Sequence, residues 1–156
     1  MCIRDRLGGE LTAFEVMCNA YYRYATELVK GVVAPLKAGS HYYVLMESSG
    51  SNGERLRGDV EKLLEEALGE DIILDATIAS SGAAAAAIWR VRDSSVEVGR
   101  ATAPSVGSDI SLAIDQMEPL TKAIEKAIKK VDKDAVMTVL GHVGDGNLHV
   151  LSLIHI

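Results

Sequence analysis

Apolar positions along the chain switch between helical and strand spacing. Phe14, Met17, Tyr21, Tyr24 and Leu28 recur every three or four residues, so the spacing predicts an amphipathic helix over Thr12–Lys30, ended by Gly31 and Pro35. His41–Glu47 is rich in Tyr and Val and reads as a strand, followed by a polar turn from Ser48 to Gly53. Leu56, Val60, Leu63, Leu64 and Ala67 lay one apolar stripe on a second helix. Asp71–Ile78 reads as another strand, and Ser80-Ser81-Gly82 opens an alanine-rich helix over Ala83–Gly99 that carries Trp89 and Arg92. Val106–Ile114 alternates as a strand should. Met117, Leu120, Ile124, Ala127, Ile128 and Val131 form a further helical stripe, and Ala135–Gly141 is a final apolar strand running into a Gly-rich turn. The order α-β-α-β-α-β-α-β predicts a sheet with helices packed on a face, an α+β layer architecture.

Composition narrows the class. The 156 residues make room for one ordinary domain, and 48% hydrophobic with 24% charged residues is a globular balance. The longest purely apolar run, Ala83–Trp89, is far short of a membrane span, so the segment reads as soluble. A net charge of −6 without any Lys/Arg cluster argues against a nucleic-acid or anionic-membrane binder. Cys2 and Cys18 provide neither a disulfide framework nor a CxxC metal pair.

The two ends break the pattern beside them. Met-Cys-Ile-Arg-Asp-Arg and Leu-Ser-Leu-Ile-His-Ile back-translate into strings that are reverse complements of one another and resemble the transposase end used to build sequencing libraries. Residues 1–6 and 151–156 are therefore read as translated adapter, to be set aside in fold reasoning. Residues 7–150 are then an internal slice of a longer, metagenomic sequence, truncated at both ends. No targeting signal is readable from such an N-terminus, and compartment is left open, cytoplasmic if the source is bacterial.

The stretch with the most chemistry is Gly141-His142-Val143-Gly144-Asp145-Gly146-Asn147-Leu148-His149. Gly144 to Asn147 are residue types that accept tight turns. A four-residue turn there would set His142 directly opposite His149, with Cβ atoms about 4.5–5.5 Å apart. Two imidazoles at that spacing can share one zinc-like ion at about 2.0–2.1 Å from each nitrogen, with a third ligand from elsewhere. The plain alternative is a hairpin whose histidines only hydrogen-bond.

The same string resembles the signature of the C-terminal substrate domain of FAD-linked 2-hydroxyacid dehydrogenases, a family that includes D-2-hydroxyglutarate dehydrogenase, D-lactate dehydrogenase and the glycolate oxidase FAD subunit. Leu11–Glu15, Tyr43–Ser51, Ile88–Arg92 and Asp109–Ser111 agree with it in order, so the resemblance covers essentially all of residues 7–150. It implies a ferredoxin-like cap domain, with an antiparallel sheet and helices packed on one face. It implies that the parent enzyme oxidises a D-2-hydroxy acid to the 2-oxo acid, passing hydride to FAD. The flavin is held mainly by a separate upstream domain, with Asn147 a weaker candidate contact within this segment. His142 and His149 match the two histidine ligands of a divalent metal, usually zinc, and the third ligand and the general base lie further along. No catalytic residue is therefore expected in this segment, which by itself should be inactive.

Arg92 matches the family's substrate-carboxylate clamp, a role suited to the two-pronged guanidinium fork. Without the resemblance it would read as a solvated helix charge paired with Asp93 or Glu97. The chain departs from the hydroxyglutarate branch where that branch carries Thr and Lys, having Val96 and Gly107 instead. This argues for a monocarboxylate or a bulkier apolar hydroxy acid. Two other classes compete: a stand-alone α+β module binding a metal or small molecule without catalysis, and a purely structural domain with an ordinary hairpin.

Overall fold

The computed structural model describes residues 7–153. After a short 3-10 turn at Gly8–Glu10, the elements run β1 (Leu11–Cys18), α1 (Asn19–Leu28), β2 (Tyr42–Ser48), α2 (Gly53–Gly69), α3 (Gly82–Arg92), α4 (Ser95–Ala101), β3 (Ser105–Ser111), α5 (Ile114–Val131), β4 (Val136–His142) and β5 (Asn147–Leu153). The strands form one sheet in the order β2-β1-β4-β5-β3, and every neighbouring pair is antiparallel. This is the expected α+β architecture. Because β3 and β4 both run antiparallel to β5 between them, they are parallel to each other, and β3-α5-β4 is a split β-α-β unit of the ferredoxin-like kind.

Both sheet faces carry helices, where helices on one face only were expected, because apolar side chains line both sides of the central strands. On one, Met17, Tyr43, Leu45 and Leu140 pack with Tyr21, Tyr22 and Ala25 of α1, Val91 of α3 and Val98 of α4. On the other, Val139, Leu148 and Val150 pack with Met117 and Ile124 of α5. Beside them, Leu56 and Leu63 of α2 pack with Leu7 and Met46.

Several expected elements change. The helix foreseen over Thr12–Lys30 is a strand followed by a helix. Leu11–Cys18 pairs on both edges and is covered on both faces, so apolar residues occupy both of its sides and blur the alternation of a half-buried strand. The helix starts where the Cys18 sulfur accepts the Tyr21 amide at 3.5 Å. Asp71–Ile78 is not a strand: Asp71 takes a positive φ of 55°, and Ile72 and Leu74 stand largely in solvent. The alanine-rich helix breaks in two, because the buried Ser94 hydroxyl turns back onto the Arg90 carbonyl at 2.5 Å. Leu151–Leu153, inside the segment read as adapter, continue β5 against β3 and β4, and Leu153 is buried, so this part of the tail does not stand off from the core. Ile3 and Ile156 lie outside the described residues.

Candidate active site

The hairpin after β4 turns one residue earlier than expected, which shifts the strand register by two. His142 pairs with Asn147 and Leu140 with His149, so the turn is Val143–Gly146 and the histidines are diagonal rather than opposed. The turn is fixed from below. Gly146 has φ +77°, a Cβ on it would collide with the Leu112 carbonyl oxygen, and that residue's amide donates to the Gly146 carbonyl at 2.9 Å. Only glycine fits there. Because paired and i+2 residues share a face, His142, Asn147 and His149 still project to one side. The two imidazole centroids are 5.9 Å apart, edge to face.

Each imidazole meets an acid directly across its strand pair. Glu15 of β1 is the partner of His142, and Asp109 of β3 is the partner of His149. His142 Nδ1 lies 2.6 Å from Glu15 Oε1, and His149 Nδ1 lies 2.5 Å from Asp109 Oδ1. Arg92, the last residue of α3, completes the group from above the sheet. Its Nε donates to Glu15 Oε2 at 2.8 Å and its Nη2 lies 2.8 Å from His142 Nε2. A guanidinium only donates, so His142 Nε2 accepts and the ring proton sits on Nδ1, where it donates to Glu15. An ionised carboxylate only accepts, so His149 likewise carries its proton on Nδ1.

Arg92 thus does not behave as a solvated helix charge. Asp93 is 3.5 Å from its Nη1, but Glu97 pairs with Arg90 instead. The end of α3 is tied to α1 by Tyr21, whose buried hydroxyl donates to the Arg92 carbonyl at 2.7 Å and the Val91 carbonyl at 3.1 Å. Burial pushes that phenol well above its usual range. Asn147 lies across from Ser111, and its side-chain carbonyl is buried with no partner among the described residues. Gly107 lies on β3 two residues before Asp109 and on the same face, opposite Leu151, while Val96 on α4 is largely exposed.

Tyr21 enters the sequence reading only as an apolar-stripe residue, and Glu15 and Asp109 only as parts of matching strings; none is singled out there as a site residue. A signal for Glu15 was present: a lone acid among Phe14, Val16 and Met17 in an apolar strand, which burial must compensate.

For a divalent ion, an ion 2.0–2.1 Å from each nitrogen sits roughly 3.2 Å from each ring centroid, so centroids as far as about 6.4 Å apart can share one. The observed 5.9 Å is within that reach. Both Nδ1 atoms are committed to carboxylates, the outer arrangement of histidines that ligate through Nε2. On distance the pair is within reach of one ion, but His142 Nε2 is taken by Arg92 Nη2 at 2.8 Å. Among the described residues no group of three His, Cys, Asp or Glu side chains completes a site, so the expected metal centre is not assembled by these residues alone.

At the strand-to-helix loop Gly50–Gly53, the Glu10 carboxylate, paired with Arg55, lies against Gly50. No described helix is long and apolar enough to cross a membrane.

The chain is 27% identical over 147 residues to "D-2-hydroxyglutarate dehydrogenase, mitochondrial" of Arabidopsis thaliana, covering 94% of this chain and 26% of that protein. It is 31% identical over 150 residues to the protein of the same name from Bos taurus, covering 94% and 26%. To a D-2-hydroxyglutarate–pyruvate transhydrogenase of Saccharomyces cerevisiae it is 29% identical over 157 residues, covering 94% and 31%. The chain thus spans about a quarter to a third of the length of these relatives. The family profile described as FAD linked oxidases, C-terminal domain, matches residues 2–155, and on that match over nearly its whole length the chain belongs to this family.

Proposed function

We propose that this chain is the substrate-side domain of an FAD-dependent dehydrogenase that oxidises a D-2-hydroxy acid to the 2-oxo acid. The observation that carries it is the meeting of Arg92, His142 and His149 on one sheet face, although fifty residues separate Arg92 from the first histidine. Arg92 binds the substrate carboxylate. With Nε on Glu15 and one Nη2 hydrogen on His142, the guanidinium offers the substrate its Nη1/Nη2 end. His142 and His149 hold a divalent cation, zinc by resemblance, through Nε2, so Arg92 leaves His142 Nε2 when the site is loaded. The cation, when bound, lowers the pKa of the substrate hydroxyl and draws its oxygens into register.

The described residues form the substrate side of the site. Their work is to bind and orient. FAD belongs to another part of the protein, and Asn147, with its unpartnered carbonyl, is the one residue here proposed to meet it. Gly107 and Val96 leave no cation on the β3 side of the site, which favours a monocarboxylate or apolar D-2-hydroxy acid over a dicarboxylate.

The test is His149→Ala and His142→Ala in the full enzyme, with metal content and turnover of D-lactate, D-2-hydroxybutyrate and D-2-hydroxyglutarate read together. Losses of about 10–100-fold in metal affinity and in kcat/KM should travel together. Turnover that survives loss of the metal would make the ion incidental, and a clear preference for D-2-hydroxyglutarate would overturn the reading of Gly107.

A further inference from the structure

Glu15 takes no part in binding substrate or metal as proposed above, yet it is 3% exposed and both its oxygens are engaged by site residues. Its strand partner Leu45 and its sheet neighbours Met17 and Leu140 are buried apolar side chains. A carboxylate among them costs free energy unless it is paired and hydrogen-bonded. A structural ion pair with Arg92 alone would offset that cost. The geometry goes further, because the two oxygens are divided between two groups.

Oε1 takes the proton-bearing Nδ1 of His142, which leaves the basic Nε2 of that ring to accept from Arg92 Nη2 at 2.8 Å, with the His149 ring 5.9 Å away. Oε2 takes Nε of Arg92, which fixes the rotation of the guanidinium and turns its Nη1/Nη2 end to the His142 ring, with Asp93 3.5 Å from Nη1. Asp109 does the first of these for His149 but touches no arginine, and its side chain is 74% exposed. Glu15 is buried between its two partners and cannot turn to solvent without leaving both uncompensated.

We propose that Glu15 is a positioning residue: a single buried carboxylate that sets the tautomer of His142 and the orientation of Arg92 at once, so that ligand nitrogen and carboxylate clamp address the same small hydroxy acid. The inference rests on the reading of His142 and His149 as a ligand pair and of Arg92 as the clamp. In Glu15→Gln the amide can accept from only one neighbour. Its oxygen goes to the guanidinium, and its NH2 then faces His142 and demands the opposite tautomer.

The experiment is solution NMR on the uniformly 15N-labelled chain, with long-range 1H–15N spectra for the imidazoles and direct spectra for the Arg92 Nε–H. The wild type should show His142 as the Nδ1–H tautomer and an Arg92 Nε–H protected from exchange. Glu15→Gln should convert His142 to the Nε2–H form and weaken the protection of the Arg92 Nε–H, which then donates to a neutral amide oxygen and loses its Nη2 bond to His142 Nε2, while His149, held by Asp109, stays unchanged. Zinc affinity, measured with a chromophoric chelator, should fall about 10–100-fold in the same variant.

A wild type in the Nε2–H form overturns the proposal without any variant. So does a Glu15→Gln chain in which tautomer, Arg92 signal and zinc affinity are all unmoved. If the variant loses its fold, seen as His149 shifting along with His142, the wild-type tautomer and Arg92 protection decide alone. A wild type that binds no zinc while Glu15 pins the expected tautomer removes the metal reading and supports the positioning role.

Discussion

Replacing Tyr21 by Phe tests how the site is hung from the fold. The ring is 1% exposed and its hydroxyl is shared between the last two carbonyls of α3, at 3.1 and 2.7 Å. A helix end leaves its final carbonyls without intrahelical partners, so this hydroxyl supplies a bond the helix cannot make itself. Phe keeps the packing and removes the donor, which strands buried acceptors and costs about 1–3 kcal/mol. With a urea slope of about 2 kcal/mol per molar, the midpoint should drop by roughly 1 M. The pH dependence supplies an independent check. Burial holds the phenol of folded Tyr21 above its ordinary value of about 10, so the stability tied to that proton is complete below pH 10. It declines above pH 10, where the unfolded chain ionises and the folded one does not, by up to about 1.4 kcal/mol per pH unit. The variant has no such proton. Its deficit against the wild type should therefore be constant at neutral pH and close within roughly one to two units above pH 10. Urea titrations at pH 7, 9 and 11 read both effects. Equal midpoints at pH 7, or a deficit that does not narrow on going alkaline, would refute the tie.

Three further outcomes are expected. Gly146→Ala should cost about 2 kcal/mol or more and displace Asn147, because the position combines φ +77° with a Cβ that meets the Leu112 carbonyl; chemical denaturation and the Asn147 side-chain NMR signals read it. Leu148→Ala, at a 2% exposed position in the cluster under the hairpin, should cost about 2–5 kcal/mol in the same denaturation assay. The purified 156-residue chain should show no flavin absorption and no dehydrogenase activity; a yellow protein would mean that FAD has a site among these residues.

The helical stripes on α2 and α5 were legible because each helix buries one side against the sheet, and the spacing of Leu56, Leu63 and Ala67 or of Met117 and Ile124 records that directly. The β1–α1 boundary was not legible. Met17 and Tyr21 are both core residues at helical spacing, yet one ends a strand and the other begins a helix, and the change falls at a cysteine that no capping rule singles out. Ile72 and Leu74 misled in the opposite way, being apolar residues that nothing among the described residues buries. At the site, the family resemblance pointed to His142, His149 and Arg92, and the fold brings the three onto one face. The acids Glu15 and Asp109 are partners only through strand register, and register between β1 and β4 or β3 and β5 is a long-range property that local spacing does not carry.

Charge on this face limits what can bind there. Glu15 and Asp109 each set an acid against a ring, Asp93 lies 3.5 Å from Arg92, and Arg90 turns away to Ser94 and Glu97. Arg92 is thus the one guanidinium in contact with the group, and Glu15 already shares it. An arriving substrate carboxylate meets like charges at an interaction of about 4 kcal/mol for a 4 Å pair at intermediate dielectric. That equals the whole free energy of millimolar binding, about 4.1 kcal/mol. On the proposed reading, a divalent cation on the two imidazoles would bring its charge to bear against this repulsion. A lysine on β3 should then substitute in part. A Cβ at Gly107 makes only ordinary contact with Leu151, at 3.7 Å, so Gly107→Lys is sterically admissible, and it lies on the same face as Asp109. In the metal-replete enzyme this variant should raise kcat/KM for D-2-hydroxyglutarate relative to D-lactate by about 10–100-fold, through one charge-assisted contact worth about 1.5–3 kcal/mol. In chelator-treated enzyme it should restore D-2-hydroxyglutarate binding, measured as a Kd by isothermal titration, without restoring turnover, because a lysine repels the anion less but does not acidify the hydroxyl. An unchanged substrate ratio in the replete enzyme, with the variant folded, would mean that β3 does not face the bound acid.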